Sequence, residues 1–149
     1  MVTAPLDSDI RLEWPLWYHK ILSPFGNRIH PITGENKLHN GVDIAVGYGE
    51  PVTAAAKGTV VKVELPVPGQ DHGAEDTVYG NHLIIDHGIG TETLYAHCRD
   101  VVVKPGQEVK AGQLVAYVGS TGSSTGAHLH FGVRRNGEWV DPAIYLAED

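Results

Sequence analysis

His128-Leu129-His130-Phe131-Gly132-Val133 decides how the chain is read. Polar and apolar side chains alternate along it. Successive side chains of an extended strand point to opposite faces, so Leu129 and Phe131 turn toward a core while His128 and His130 project together from the other side. Runs of the same β-rich kind recur at Thr59-Val-Val-Lys-Val63, His82-Leu-Ile-Ile-Asp86, Thr93-Leu-Tyr-Ala-His97 and Leu114-Val-Ala-Tyr-Val118. Between the runs stand Gly88-Ile-Gly90, Lys104-Pro-Gly106 and Asn136-Gly137, the last placed for a two-residue hairpin turn within Arg134-Arg-Asn-Gly-Glu-Trp-Val140. The expectation is a mainly β, single domain of short antiparallel strands with at most short peripheral helices. The one helix start is Asp141-Pro142, where Asp caps and Pro takes the first helical position.

Composition supports that reading and removes other classes. With 149 residues and 42% hydrophobic content, one compact core is within reach, and 18 Gly and 9 Pro cut the chain into short segments. A formal charge of −7 with only 11 Lys and Arg argues against a nucleic-acid partner, which needs clustered cations. Apolar stretches fall far short of the roughly 20 residues that span a bilayer, so membrane insertion is not expected. The opening MVTAPLDSDIRLEWPLW lacks the basic start and apolar core of a secretory leader, so no export signal is read there. Residues 1–22, with Trp14, Trp17 and Tyr18, are expected to lie as an extended segment packed on a domain of residues 23–149; the alternative is that these aromatics line a binding groove. Oligomeric state is not encoded, and a monomer is assumed.

Nine histidines and one cysteine frame the chemistry. Cys98 alone excludes an intrachain disulfide or a cysteine-rich zinc site, and by strand alternation it points away from His97 as a small buried residue. His128 and His130 by themselves read equally as surface histidines or metal ligands. His39-Asn40-Gly41-Val42-Asp43 combines an imidazole and a carboxylate, both common zinc ligands. On a straight strand the two would stand about 13 Å apart, too far for groups that each approach zinc to about 2 Å. A bend at Asn40-Gly41 is therefore required, whereas Gly41 and the Val-rich continuation disfavour a helix. In Thr93–His97, alternation puts Tyr95 and His97 on one face and Leu94 and Ala96 on the other, so that His97 can join the same cleft. His82 and His87 flank an apolar strand and are read as structural, as are Arg28 and His30. His19 and His72 have no constellation around them. Residues 64–77 show neither strand nor helix period and form a loop that either borders a groove or is simply exposed.

Together, Ser23-Pro-Phe-Gly-Asn-Arg-Ile-His-Pro31, His39-Asn-Gly-Val-Asp43, Ala54-Ala-Ala-Lys-Gly-Thr-Val60, Thr93-Leu-Tyr-Ala-His97, Gly119-Ser-Thr-Gly122, His128-Leu-His130 and Asp141-Pro142 resemble, in order, the motifs of the lysostaphin/LytM-like zinc endopeptidases, which cleave peptide links of bacterial cell walls. The resemblance implies a barrel-sandwich-hybrid-like fold and one zinc per chain held by His39, Asp43 and His130. It also implies His97 and His128 as the catalytic pair and a peptidoglycan peptide as substrate. The choice of His130 rather than His128 as ligand comes from the resemblance alone. The substrate in turn implies an extracytoplasmic place of action, secreted, periplasmic or wall-associated, or a phage-type lytic enzyme. The longer loop before Val78-Tyr-Gly-Asn81 departs from the family pattern, as does Cys98 where Leu is common.

Three rival readings are weaker. Gly122-Ser-Ser-Thr-Gly126 fits the Gly-x-Ser-x-Gly pattern of serine hydrolases, but a strand follows it where that motif requires a helix. Val103–Val115 resembles the hairpin of biotinyl and lipoyl domains without their modifiable lysine between apolar neighbours. A catalytically silent wall-binding or hydrolase-activating relative typically loses one or more of the five site positions, and the presence of all five favours an enzyme.

Overall fold

The β-branched runs become strands in a computed structural model that describes residues 11–29, 34, 36–124 and 126–147, most within about two residues of their expected bounds, while the run at Thr93–His97 extends to Val101. His30 and the side chain of Arg28 lie outside the described residues. The strands are β1 (Gly26–Ile29), β2 (Asn36–His39), β3 (Val42–Ile44), β4 (Pro51–Thr53), β5 (Gly58–Glu64), β6 (His72–Gly73), β7 (Asn81–Asp86), β8 (Thr91–Val101), β9 (Glu108–Val109), β10 (Leu114–Val118), β11 (Ser120–Thr121), β12 (Leu129–Arg135) and β13 (Glu138–Val140). The expected helix at Asp141 is a single 3-10 turn, Pro142–Ile144, with the Asp141 carboxylate accepting from the Ala143 amide at 3.0 Å.

Nine strands form one sheet whose main path runs β13-β12-β8-β7-β5-β9, with β3 added to β12 and β10 joining β4 to β8. Every pairing in it is antiparallel. The β12–β13 hairpin turns on Asn136 and Gly137, both at positive φ (51° and 86°), the two-residue turn that Asn-Gly favours. Two pairings among the described residues break the antiparallel expectation: β6 lies parallel to β11, and an isolated bridge joins Leu12 to Leu146 in parallel. The segment 64–77 is thus not wholly irregular. Its β6 docks on β11, and the Ser120 and Gly122 amides donate to Asp71 and Gly73. Buried Asn81 ties the same loop to β8, giving its side-chain amide to the Val67 and Arg99 carbonyls while its Oδ1 accepts from the Val67 amide.

The core follows from the alternation. Phe131 of β12 faces Val42 of β3 and Tyr95 of β8 across the ladder, and all three are fully buried with Leu83, Ile85 and Leu129. Each such side chain contributes about 1.5–3 kcal/mol by leaving water. Tyr95 also needs partners for its hydroxyl, and it accepts from the Ala55 amide and from Thr93 Oγ1, which in turn contacts His87 Nε2. Burial pushes the Tyr95 phenol up to about 12. His87 is held at its other nitrogen by the Lys57 carbonyl and belongs to this scaffold. Leu12 and Leu16 enter the core and Trp14 packs against it, whereas Trp17 is 67% exposed and Tyr18 stands at the surface.

Candidate active site and metal centre

The face of the sheet opposite Phe131 carries the polar groups. His130 pairs with Asp43 on one side and Ala96 on the other, so these three positions share a face. Asp43 Oδ1 lies 3.0 Å from His130 Nδ1, 3.2 Å from His39 Nε2 and 3.7 Å from His128 Nε2. The chain does bend between β2 and β3 to bring His39 over Asp43. Gly41 has no left-handed φ, however, and its requirement is space. A Cβ there would stand 2.5 Å from the Phe131 carbonyl oxygen and 2.8 Å from His130 Nε2. Gly41→Ala is therefore expected to push β12 or the His130 ring aside, costing about 1–3 kcal/mol and weakening metal binding, measured as a fall in melting temperature and in zinc affinity.

His97 reaches this cleft by a route that strand alternation does not give. Its neighbour Tyr95 points into the core against Phe131, so in a regular strand His97 would do the same. Instead His97 has φ 63°, and the pairings of β8 with β7 and with β10 both shift register beside it. This left-handed residue, a conformation costing about 1 kcal/mol, turns the imidazole to the opposite side, where it lies 4.8 Å from the His128 ring and 6.0 Å from that of His130. The expectation that Tyr95 and His97 share a face is thus corrected, because the bulge breaks the period between them. Cys98 falls in the core, and burial pushes its thiol up to about 12, which removes it from metal or nucleophile chemistry at neutral pH.

Backbone carbonyls set the histidine tautomers. His39 Nδ1 donates to Pro24 O at 2.9 Å, His97 Nδ1 to Thr121 O at 2.6 Å and His128 Nδ1 to Gly126 O at 2.8 Å. The His97 and His128 rings then carry their lone pair on Nε2, while His39 turns its Nε2 to Asp43 Oδ1 at 3.2 Å. Leu22 and Ser23 clasp the other ligand position: both amides donate to the Asp43 carbonyl, and the Asp43 amide donates to the Ser23 carbonyl. Burial, helped by the neighbouring His128 and His130 imidazoles, pulls His97 down to about 4 against the Thr121 hydrogen bond, so its imidazole is neutral at pH 7. Burial alone would raise the Asp43 carboxyl. Hydrogen bonds from His130 and His39, with the His128 imidazole close by, outweigh it and hold the group well below the usual carboxylate range.

The donor set fits zinc. One donor atom each from His39, Asp43 and His130 lies within 4.8 Å of the others, and the 3.0 and 3.2 Å separations approach the roughly 3.3 Å between tetrahedral ligands at a 2.0–2.1 Å bond. Two imidazoles and a carboxylate are a common zinc set with one position left open. Of the five expected site residues, all lie in this one cleft. His82 stands apart from it, its Nδ1 on the Gly80 carbonyl, while His19 stacks on Trp14 and His72 lies in β6. Sequence reasoning missed Tyr79, whose ring stacks on His130 at 5.8 Å and meets His82 edge-on. Its only signal is the aromatic in Val78-Tyr-Gly-Asn81 ahead of β7. Tyr79 and His82 wall a groove of about 540 Å³ that continues along Thr77, Leu65 and Lys62. The long loop therefore does border a groove beside the site.

Comparison with known proteins accords with this geometry. The sequence model of peptidase family M23 matches residues 37–142. The chain is 44% identical over 128 residues to the DD-carboxypeptidase/endopeptidase Mpg of Neisseria meningitidis, covering 86% of this chain and 27% of that protein. It is 39% identical over 125 residues to the peptidoglycan DD-endopeptidase ShyB of Vibrio cholerae, covering 83% of this chain and 27% of that one. The chain thus spans about a quarter of the length of these curated relatives. A crystal structure of a zinc-containing peptidase from Vibrio cholerae superposes with a TM-score of 0.75 at 37% identity, covering 91% of this chain and 39% of that one.

Proposed function

This chain belongs to peptidase family M23, and from that membership and the site geometry we propose that it is a zinc-dependent endopeptidase hydrolysing peptide bonds of bacterial peptidoglycan, in cross-links or stem peptides. The observation that carries the reading is the convergence of His39, Asp43 and His130 on one point beside two imidazoles whose Nε2 atoms are free of backbone partners. His39, Asp43 and His130 are the proposed ligands. Zinc, when bound, supplies Lewis acidity that activates water and polarises an amide carbonyl.

The remaining steps belong to the chain's own groups. His97 and His128 each hold a hydrogen on Nδ1 against a carbonyl, so each can accept a proton or a hydrogen bond at Nε2. Neutral His97 is an acceptor for the attacking water, and either imidazole, once protonated at Nε2, becomes a donor to the developing oxyanion or the leaving amine. No His-Glu-x-x-His motif supplies a glutamate base, so this work falls on the two histidines. The groove past Tyr79 gives an extended peptide room beside the scissile bond. Since the substrate is wall material, the place of action is extracytoplasmic.

Purified protein is expected to hold about one zinc per chain and to cut peptidoglycan peptides, with cleavage abolished by a chelator and restored by zinc, as read by mass spectrometry of the products. A zinc-loaded protein that binds peptidoglycan without cutting any wall type would instead identify a silent wall-binding module. Products from walls with glycyl bridges and with D-alanyl cross-links would show which bond is taken.

A further inference from the structure

The Gly122-Ser-Ser-Thr-Gly126 sequence, rejected above as a serine-hydrolase motif, supplies a serine, Ser124, that stands behind one of the histidines. Ser124 Oγ donates to the Gly126 carbonyl at 3.0 Å, lies 2.8 Å from Ser120 Oγ and 3.2 Å from His128 Nδ1. A hydroxyl has one hydrogen, and here it is committed to Gly126. Toward Ser120 and His128, Ser124 is therefore an acceptor. Both groups beside His128 Nδ1, Ser124 Oγ and Gly126 O, demand a hydrogen on that nitrogen, which leaves the lone pair on Nε2 facing Asp43 and the cleft.

We propose that Ser124 is a positioning residue for His128, its oxygen oriented by buried Ser120 so that it accepts from Nδ1 and fixes both the tautomer and the tilt of the ring. The nucleophile role suggested by the motif is excluded by the same geometry, because Ser124 meets the histidine on the nitrogen turned away from the cleft. Ser120 starts the chain of contacts from β11, and the neighbouring Thr121 carbonyl holds His97. A single short segment, braced by β6, thus orients both proposed proton carriers. As the Nδ1–H tautomer is needed both to accept at Nε2 and to carry a proton there afterwards, losing this acceptor should slow turnover without touching the metal ligands.

This inference rests on the peptidase reading for its kinetic arm only. Ser124→Ala is expected to lower kcat on a peptidoglycan peptide about tenfold with KM and zinc content unchanged, while Ser124→Thr keeps most activity. The ¹⁵N resonances of His128, assigned through His128→Gln, should show a reduced Nδ1–H population or a mobile ring in Ser124→Ala of the zinc protein. Ser123→Ala, an exposed neighbour, serves as the control for the turn. Unchanged ¹⁵N signals would overturn the proposal, as would a loss of activity that tracks zinc loss or a lowered melting temperature. If wild-type protein cuts no peptide but the ¹⁵N change appears, the peptidase reading fails and the positioning role stands.

Discussion

Asp43→Ala is expected to release the zinc and to reduce peptide cleavage on the order of 10³-fold or more, toward the level of the chelated wild type. The carboxylate oxygen stands at 3.0–3.7 Å from nitrogens of three imidazoles and is the one anionic donor in the proposed ligand set. Losing a group that merely supports a ligand lowers metal affinity about 10–100-fold, and losing the anionic ligand itself costs more. Added zinc stabilises whatever state binds it, so the melting temperature of wild type should rise with zinc while that of Asp43→Ala stays flat. Asp43→Asn separates charge from shape: it keeps the side-chain volume beside Gly41 and β12 but should still lose most zinc affinity. If Asp43→Ala retains stoichiometric zinc, the ligand assignment is wrong.

His128→Ala should give the opposite split, with zinc retained and kcat lowered by about 10²–10⁴, the range for removal of an acid–base group. His128 Nε2 is 3.7 Å from Asp43 Oδ1, outside the 3.0–3.2 Å of His130 and His39, and its Nδ1 is engaged by Gly126. This geometry suits a group beside the metal better than one on it. His130→Ala is the matched comparison, since it removes a proposed ligand from the same strand two residues away and should empty the site. Zinc analysis of both variants beside circular dichroism decides the matter, and metal loss in both would mean that His128 and His130 were assigned the wrong way round.

Local sequence determined a good part of this. Alternation in His128–Val133 fixed the core face through Leu129 and Phe131, because a strand with one buried side has a single register that hides its apolar residues. The same period set β5, β7 and β10, and Asn136-Gly137 set the hairpin, since few other pairs accept two positive φ values. Asn40-Gly41 announced a bend between His39 and Asp43. The assignment of ligands and catalytic histidines came only from the ordered motifs, because spacing carries no information about which nitrogen faces a metal.

Tertiary structure alone decided how His97 enters the cleft. Its left-handed φ is stable only where β7 and β10 both shift register around it, a property of three strands that no window of Thr93–His97 contains. It also decided that Gly41 is needed for the approach of Phe131 and His130 rather than for its own backbone, and that Pro24, Thr121, Ser124 and Gly126 orient the imidazoles from 2 to 24 residues away in the chain. Most of those partners are backbone carbonyls, which every residue possesses, so nothing in the side-chain sequence marks them. Residue identity supplied the groups that can bind a metal and move a proton, while folding supplied the tautomers and the convergence that give those groups distinct work.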